Sequence, residues 1–364
     1  MGAMSVSEYA YVYARTRARM SELLGERKLR ELVDARREDF LPLLMDTAYK
    51  GKLTKAALVE IDARSIERAL NEELIDQYVM VIRSTSGVVR ALFAALFRRL
   101  EVKNLKAVIR AKAVAGTEAV MLFPVEAFFK RRISRLMDVD SLEGVIKQLE
   151  KPYRSVLEEA LSAYEKSKRL LVLERALDAE YSNALWDRIE TLRGTDRELV
   201  RELIGTEFDI TNIRTLLRCK SEGIAGAEIM NYFLPYGYAR DFGADAVKDS
   251  IFAENVSTAI QLMPASAYKD VLTGALSSYE AEGHRPAATP SAPVKGLSLI
   301  PFESALSRYF FVTVKDMMRG YPINIGTAIG FLYLKEVEIK NLCTIAVCKE
   351  NEIPAEATMK MVMW

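Results

Sequence analysis

The sequence predicts an all-α protein built from three pseudo-symmetric helical repeat units. Three observations predict it: short blocks recur three times in one order, the intervals between them are kept, and the apolar residues inside them follow a helical period. Strand signals are scarce. Tyr9, Tyr11 and Tyr13 alternate only briefly, and Tyr9 and Tyr13 also fit i, i+4 on one helix face.

The first block is Ile66-Glu67-Arg68-Ala69-Leu70-Asn71, which returns as Leu173-Glu174-Arg175-Ala176-Leu177-Asp178 and as Phe302-Glu303-Ser304-Ala305-Leu306-Ser307. Each reads as a helix start. The second block is Glu101-Val102-Lys103-Asn104-Leu105-Lys106, matched by Asp209-Ile210-Thr211-Asn212-Ile213-Arg214 and Glu338-Ile339-Lys340-Asn341-Leu342-Cys343, and all three run on to a lysine at Lys112, Lys220 and Lys349. The third block is Gly116-Thr117-Glu118, Gly226-Ala227-Glu228 and Pro354-Ala355-Glu356, each opening an apolar segment. From Glu67 to Asn104, Glu174 to Asn212 and Glu303 to Asn341 the intervals are 37, 38 and 38 residues, and from each asparagine to the third block they are 12, 14 and 13. Chance matches of degenerate blocks do not keep such intervals three times.

The units run from about 4 to 115, 116 to 223 and 224 to 364. Met1-Gly2-Ala3 is expected to be a remnant of expression ahead of a native start at Met4. An aromatic landmark, Tyr49, Tyr153 or Tyr268, precedes the first block by 18, 21 and 35 residues to its glutamate, so the extra length of the last unit lies after Tyr268. There the stretch 281–295 is rich in Pro, Ala and Ser and is expected to be an exposed surface loop. Within the second block Val102, Leu105, Val108 and Ile109 recur as Ile210, Ile213, Leu216 and Leu217 and as Ile339, Leu342, Ile345 and Ala346, the set that forms one helix face. Glu101, Asp209 and Glu338 stand just ahead of that face, which predicts a helix-start role: a carboxylate accepting from free backbone N–H groups and complementing the helix dipole. Asn104, Asn212 and Asn341 are expected to bond locally to the backbone in the first helical turn rather than to form a binding ring.

Composition narrows the function. With 51 Lys and Arg against 50 Asp and Glu, the balance of +1 argues against attraction to nucleic acid as the main task. No apolar run reaches the roughly 18 residues of a membrane helix, and no secretory leader precedes the helices. The single histidine, His284, leaves no histidine triad or multi-histidine metal site to assemble. Three cysteines, none in a CxxC pair, make no disulfide framework, and Cys219 and Cys348 share a repeat position with Ala111, which reads as small-residue packing. A phosphate-binding GxxxxGK[ST] loop is absent; Gly326-Thr327-Ala328-Ile329-Gly330 lacks the lysine and reads as a tight helix entry. No catalytic, cofactor-binding or metal residue is therefore assigned, and no small-molecule substrate. Lys130-Arg131-Arg132 with Arg135 is the densest basic stretch, suited to an acidic partner surface or lipid headgroups and equally to a solvated helix face.

The second-block copies, together with Asp46-Thr47-Ala48-Tyr49 and Met230-Asn231-Tyr232-Phe233-Leu234-Pro235-Tyr236-Gly237, resemble the family of C subunits of archaeal A-type and bacterial V-type rotary ATPases, whose eukaryotic relative is the d subunit of the V-ATPase. The likeness spans about Ser5 to Glu356. It departs from the family in the insertion near His284 and in the glutamates at 101 and 338, where the family often has aspartate. The resemblance implies a funnel or socket of three helical units that sits on the proteolipid ring at the cytoplasmic face of the cell membrane and receives a shaft made by the D and F stalk proteins. It further implies a non-catalytic rotor part, monomeric in isolation and present once per complex, that transmits torque for ATP-coupled proton or sodium transport. The alternative reading is a helical-repeat adaptor for a protein partner unrelated to rotary ATPases.

Overall fold

Helices begin where the sequence supplies a cap. Asp62 accepts from the Ser65 N–H at 2.7 Å, Asn255 from the Thr258 N–H at 2.9 Å and Asn324 from the Thr327 N–H at 3.3 Å, each satisfying one of the donors that a helix start leaves free. A computed structural model describes residues 6–56, 62–113, 120–129, 133–237, 243–281, 298–320 and 323–363, and no strand occurs among the described residues. The chain divides into two units, Met1–Leu192 with Gly320–Trp364, and Arg193–Arg319.

In the first unit α1 (Val6–Met20), α2 (Glu26–Asp34), α3 (Arg37–Met45) and α4 (Lys50–Ala56) lead into two long helices, α5 (Ala63–Arg83) and α6 (Gly87–Ala113). Then come α7 (Glu126–Phe129), a 3-10 helix (Ile133–Asp138), α8 (Leu142–Gln148), α9 (Tyr153–Ser167) and α10 (Leu170–Glu190). The predicted face of α6, Val102, Leu105, Val108 and Ile109, is buried in one cluster with Leu136, Val145, Leu157, Leu173 and Leu177. Each such leucine or isoleucine removed from water contributes about 1.5 to 3 kcal/mol.

The second unit holds α11 (Gly194–Ser221), α12 (Gly226–Met230), α13 (Lys248–Phe252), α14 (Val256–Gln261), α15 (Ala267–Ala281) and α16 (Ile300–Met317). Pro301 stands in the first turn of α16, where a missing N–H costs nothing. Ile210, Ile213, Leu216 and Leu217 are all buried. The insertion predicted at 281–295 begins as α15 ends, and 282–295 lie outside the described residues. Two helices, α17 (Ile325–Glu350) and α18 (Ala355–Met361), complete the first unit. Gly326 and Gly330 occupy the first two turns of α17 and are buried, as a tight helix entry requires.

The packing is out of phase with the sequence repeats. Each helix that carries a second block packs on the helix that carries the next first block: α6 on α10, α11 on α16, and α17, from the end of the chain, on α5. These helix pairs are the seams of the fold. In the first unit the two seams are joined by a buried ion pair between Arg99 of α6 and Glu336 of α17, to which Tyr78 of α5 adds a hydroxyl bond at 2.6 Å. Burial alone would raise the Glu336 carboxyl, but Arg99, Lys103 and the Tyr78 and Arg99 hydrogen bonds outweigh it and hold the group below its ordinary range. The Arg99 guanidinium also lies 4.6 Å from the centre of the Tyr333 ring.

Candidate functional site

Each second block places an acid, an asparagine and a lysine at i, i+3 and i+11, and at 100° per residue these three fall within about 80° of one another on the helix. Three times this face meets the same chemistry, supplied in the first two copies by chain that follows and in the third mostly by the start of the chain. Tyr153 donates to Glu101 at 2.8 Å, Tyr268 to Asp209 at 2.9 Å and Tyr49 to Glu338 at 2.5 Å. All six residues are buried. The Tyr153 and Tyr268 hydroxyls are pushed well above the ordinary tyrosine range, by burial first and by the facing carboxylate second, and Tyr49 follows for the same reasons. Each hydroxyl therefore stays protonated and serves as a donor.

The asparagines act as clamps on distant backbone. Asn104 donates to Phe123 O and accepts from Phe123 N, both at 2.8 Å; Asn212 does the same with Leu234 at 3.1 and 2.7 Å; Asn341 bonds Met363 O and accepts from Met363 N at 3.0 Å. A primary amide matches a peptide group donor for acceptor, so both partners are satisfied without water. The lysines cap the ends of short helices. Lys112 bonds Met137 O at 2.6 Å in the 3-10 helix, Lys220 bonds Ala253 O at 2.7 Å after α13, and Lys349 bonds Val33 O at 2.5 Å and also Ala35 O at the end of α2. A cation at a helix C-terminus meets the last free carbonyls and the negative end of the dipole.

The placement of the acids and asparagines differs from the helix start that the sequence suggests. Glu101, Asp209 and Glu338, with Asn104, Asn212 and Asn341, sit near the middle of α6, α11 and α17, where backbone N–H groups are already bonded to carbonyls four residues back and no donor is left to cap. The helix starts well before Val102: Leu92, Phe93, Leu96, Phe97 and Leu100 are buried at i, i+1, i+4, i+5 and i+8, a helical period that runs ahead of the block. Arg135 is exposed in the 3-10 helix, while Lys130, Arg131 and Arg132 lie outside the described residues. Cys219 and Cys348 are buried, in keeping with small-residue packing. The sequence does not show the partner of each acid; the one signal is that a tyrosine, Tyr49, Tyr153 or Tyr268, recurs ahead of the first block in every repeat.

A fourth position varies. Three residues before the acid stand Arg98, Thr206 and Lys335. Lys335 is buried 3.1 Å from Glu338 with its ammonium 4.2 Å from the Tyr49 ring centre, and Arg98 lies 3.8 Å from Glu101 and 3.0 Å from the Tyr153 hydroxyl. Thr206 instead hydrogen-bonds Tyr268.

Nothing in this arrangement is a reactive centre: the carboxylates are held by donors, and no group of three or more metal-ligating side chains occurs among the described residues. No described helix is long and apolar enough to cross a membrane. The site defines a helical-repeat protein whose repeated polar residues fasten one segment to the next.

Comparison with known proteins agrees with that class. A model of the ATP synthase (C/AC39) subunit family matches residues 12–361, and the chain belongs to that family. It is 31% identical over 360 residues to the C subunit of the A-type ATP synthase of Methanothermobacter thermautotrophicus, covering 98% of this chain and 87% of that one. The corresponding protein of Methanocaldococcus jannaschii is 29% identical with 97% and 86% covered, and that of Halorubrum lacusprofundi 27% identical with 98% and 97% covered.

Proposed function

We propose that the chain is the non-catalytic central-stalk subunit of an A-type ATP synthase, joining a D/F shaft to the proteolipid ring at the cytoplasmic face of the membrane and carrying torque between them. The pairing order is the observation that carries this reading. Every second-block helix packs on the helix of the next first block, α17 on α5 included, and Glu338 of α17 also accepts from Tyr49 of the first repeat. The recurrence of one seam chemistry in all three repeats is what supports a funnel of three units. Stiffness follows from close packing and from seams that combine apolar clusters with bidentate amide clamps, both of which resist shear. The three units 4–115, 116–223 and 224–364 then supply one wall each. Coverage of 86 to 98% in both directions with the C subunits of A-type ATP synthases supports the same role.

The test is ATP-driven ion pumping in membranes reconstituted with and without this chain. Pumping is expected to require it. Unchanged pumping in its absence would mean that torque passes elsewhere.

A further inference from the structure

One charged side chain of α10 stands apart from its copies in the other two first blocks. The three first-block helices carry Arg68, Arg175 and Ser304 at one repeat position. Arg68 and Ser304 are exposed, whereas Arg175 is only 5% exposed. At 100° per residue Arg175 stands about 160° around the helix from both Leu173 and Leu177, which belong to the apolar cluster of α6. It is therefore buried on a second side of α10, a side that the equivalent helices leave to solvent.

All three guanidinium nitrogens of Arg175 are closed off from solvent, and none donates to an acceptor among the described residues. The acids nearest it in sequence are already engaged: Glu174 pairs with Arg110, and Asp178 with Lys106 at 2.5 Å. Burial pulls the guanidinium down to about 10, and Asp178 gives only partial relief. The group keeps its proton at neutral pH. The helix dipole gives no help, since Arg175 lies in the second turn of α10 and the start of a helix is its positive end. Both neighbouring pairs are neutral in sum, so this stretch carries one uncompensated positive charge inside the fold. Water satisfies N–H donors but does not balance a charge.

We propose that Arg175 holds a small monovalent anion from solution, a halide or a planar oxyanion such as nitrate or formate, within the fold of the first unit. Charge sets the valence: one guanidinium is uncompensated, and a divalent ion would bury a net negative charge in its place. Burial sets the size. With every nitrogen closed off, a partner's carboxylate or a lipid headgroup has no path to the guanidinium, while a bare ion enters through local opening of the helices around it. The fork of N–H donors fits a two-oxygen edge and also a single halide. The anion ties the stability of the first unit to the salt around it, and this holds whatever the chain assembles with.

The experiment has two arms, both on the full chain. In the first, crystals grown in sodium bromide are measured at the bromine absorption edge, and an anomalous peak is expected in contact with the Arg175 guanidinium. In the second, thermal melts are recorded at constant ionic strength while sodium chloride replaces sodium gluconate, whose bulk keeps it out of a closed site. Wild type is expected to melt about 2 to 4 °C higher at about 100 mM chloride than in gluconate alone, with a response that saturates, and Arg175→Met to stay within about 1 °C. Bromide found only at exposed basic side chains would be an adventitious ion only and would overturn the site. No response of wild type to chloride, or one that Arg175→Met reproduces, overturns it as well. The bromide arm needs wild type alone and so decides even where Arg175→Met fails to fold.

Discussion

The α17–α5 seam of the first unit and the α11–α16 seam of the second solve one problem with different means. Both bury a carboxylate in mid-helix, both give it a tyrosine hydroxyl, and both clamp the following backbone with an asparagine. In the first, Lys335 pairs with Glu338 inside the core; in the second, Thr206 stands at the position of Lys335 and bonds the tyrosine, and the shorter Asp209 is approached by backbone at Gly237. A Cβ added at Gly237 would lie 2.0 Å from Asp209 Oδ1, so only glycine fits there. The hydrogen-bond geometry is therefore the constant of the design, and charge neutralisation is one of two ways to support it.

The sharpest break in this comparison is removal of the buried cation. Lys335→Met leaves Glu338 buried without its cation and is expected to lower stability by about 3 to 5 kcal/mol in urea unfolding, against about 1 kcal/mol for Thr206→Val, which removes only neutral bonds, to Tyr268 and to Glu202 O. Equal losses would show that charge plays no separate part. Arg98→Met should fall near the lower figure, because Arg98 is partly solvated.

The clamps test the constant itself. Asn104→Ala, Asn212→Ala and Asn341→Ala each strand one buried peptide group and should each cost about 2 to 4 kcal/mol. Costs that differ widely among the three would mean that the seams are equivalent in geometry only.

Tyr153→Phe and Tyr268→Phe are expected to cost about 1 to 3 kcal/mol at neutral pH. Their second signature is alkaline. Both hydroxyls ionise higher in the folded chain than the ordinary value of 10.0, so the stability they contribute is complete below that pH and lost as pH climbs past it toward the folded values. Thermal melts of wild type should therefore drop above about pH 10, and each phenylalanine variant should drop less steeply. An unchanged slope would rule out the tyrosines as its source.

The smallest effect separates the ends of α11 and α17. Ile224 N bonds Cys219 O and Ile353 N bonds Cys348 O, both at 2.9 Å, around a left-handed residue that is Gly223 (φ +70°) in one helix and Glu352 (φ +55°) in the other. Glu352→Gly should stabilise by about 0.5 to 1 kcal/mol and Gly223→Ala should destabilise by about 1 kcal/mol. A loss on Glu352→Gly would show that the left-handed strain is already relieved by contacts of the glutamate.

The sequence alone determined the helical class, the threefold repetition, the buried face of each second block and the small-residue role of Cys219 and Cys348. These are local or periodic properties: a 3.6-residue period and fixed intervals are carried by neighbours in the chain. The phase of the packing, the mid-helix position of Glu101, Asp209 and Glu338, and the pairing of each acid with the tyrosine of the following repeat were decided only by the tertiary structure. A repeat spelled three times reads identically whether its blocks pack within a unit or across to the next, because periodicity records which face is buried and not what buries it. The bond from Tyr49 to Glu338 joins residues 289 positions apart, and only the folded chain brings those two hydrogen-bonding groups out of water together.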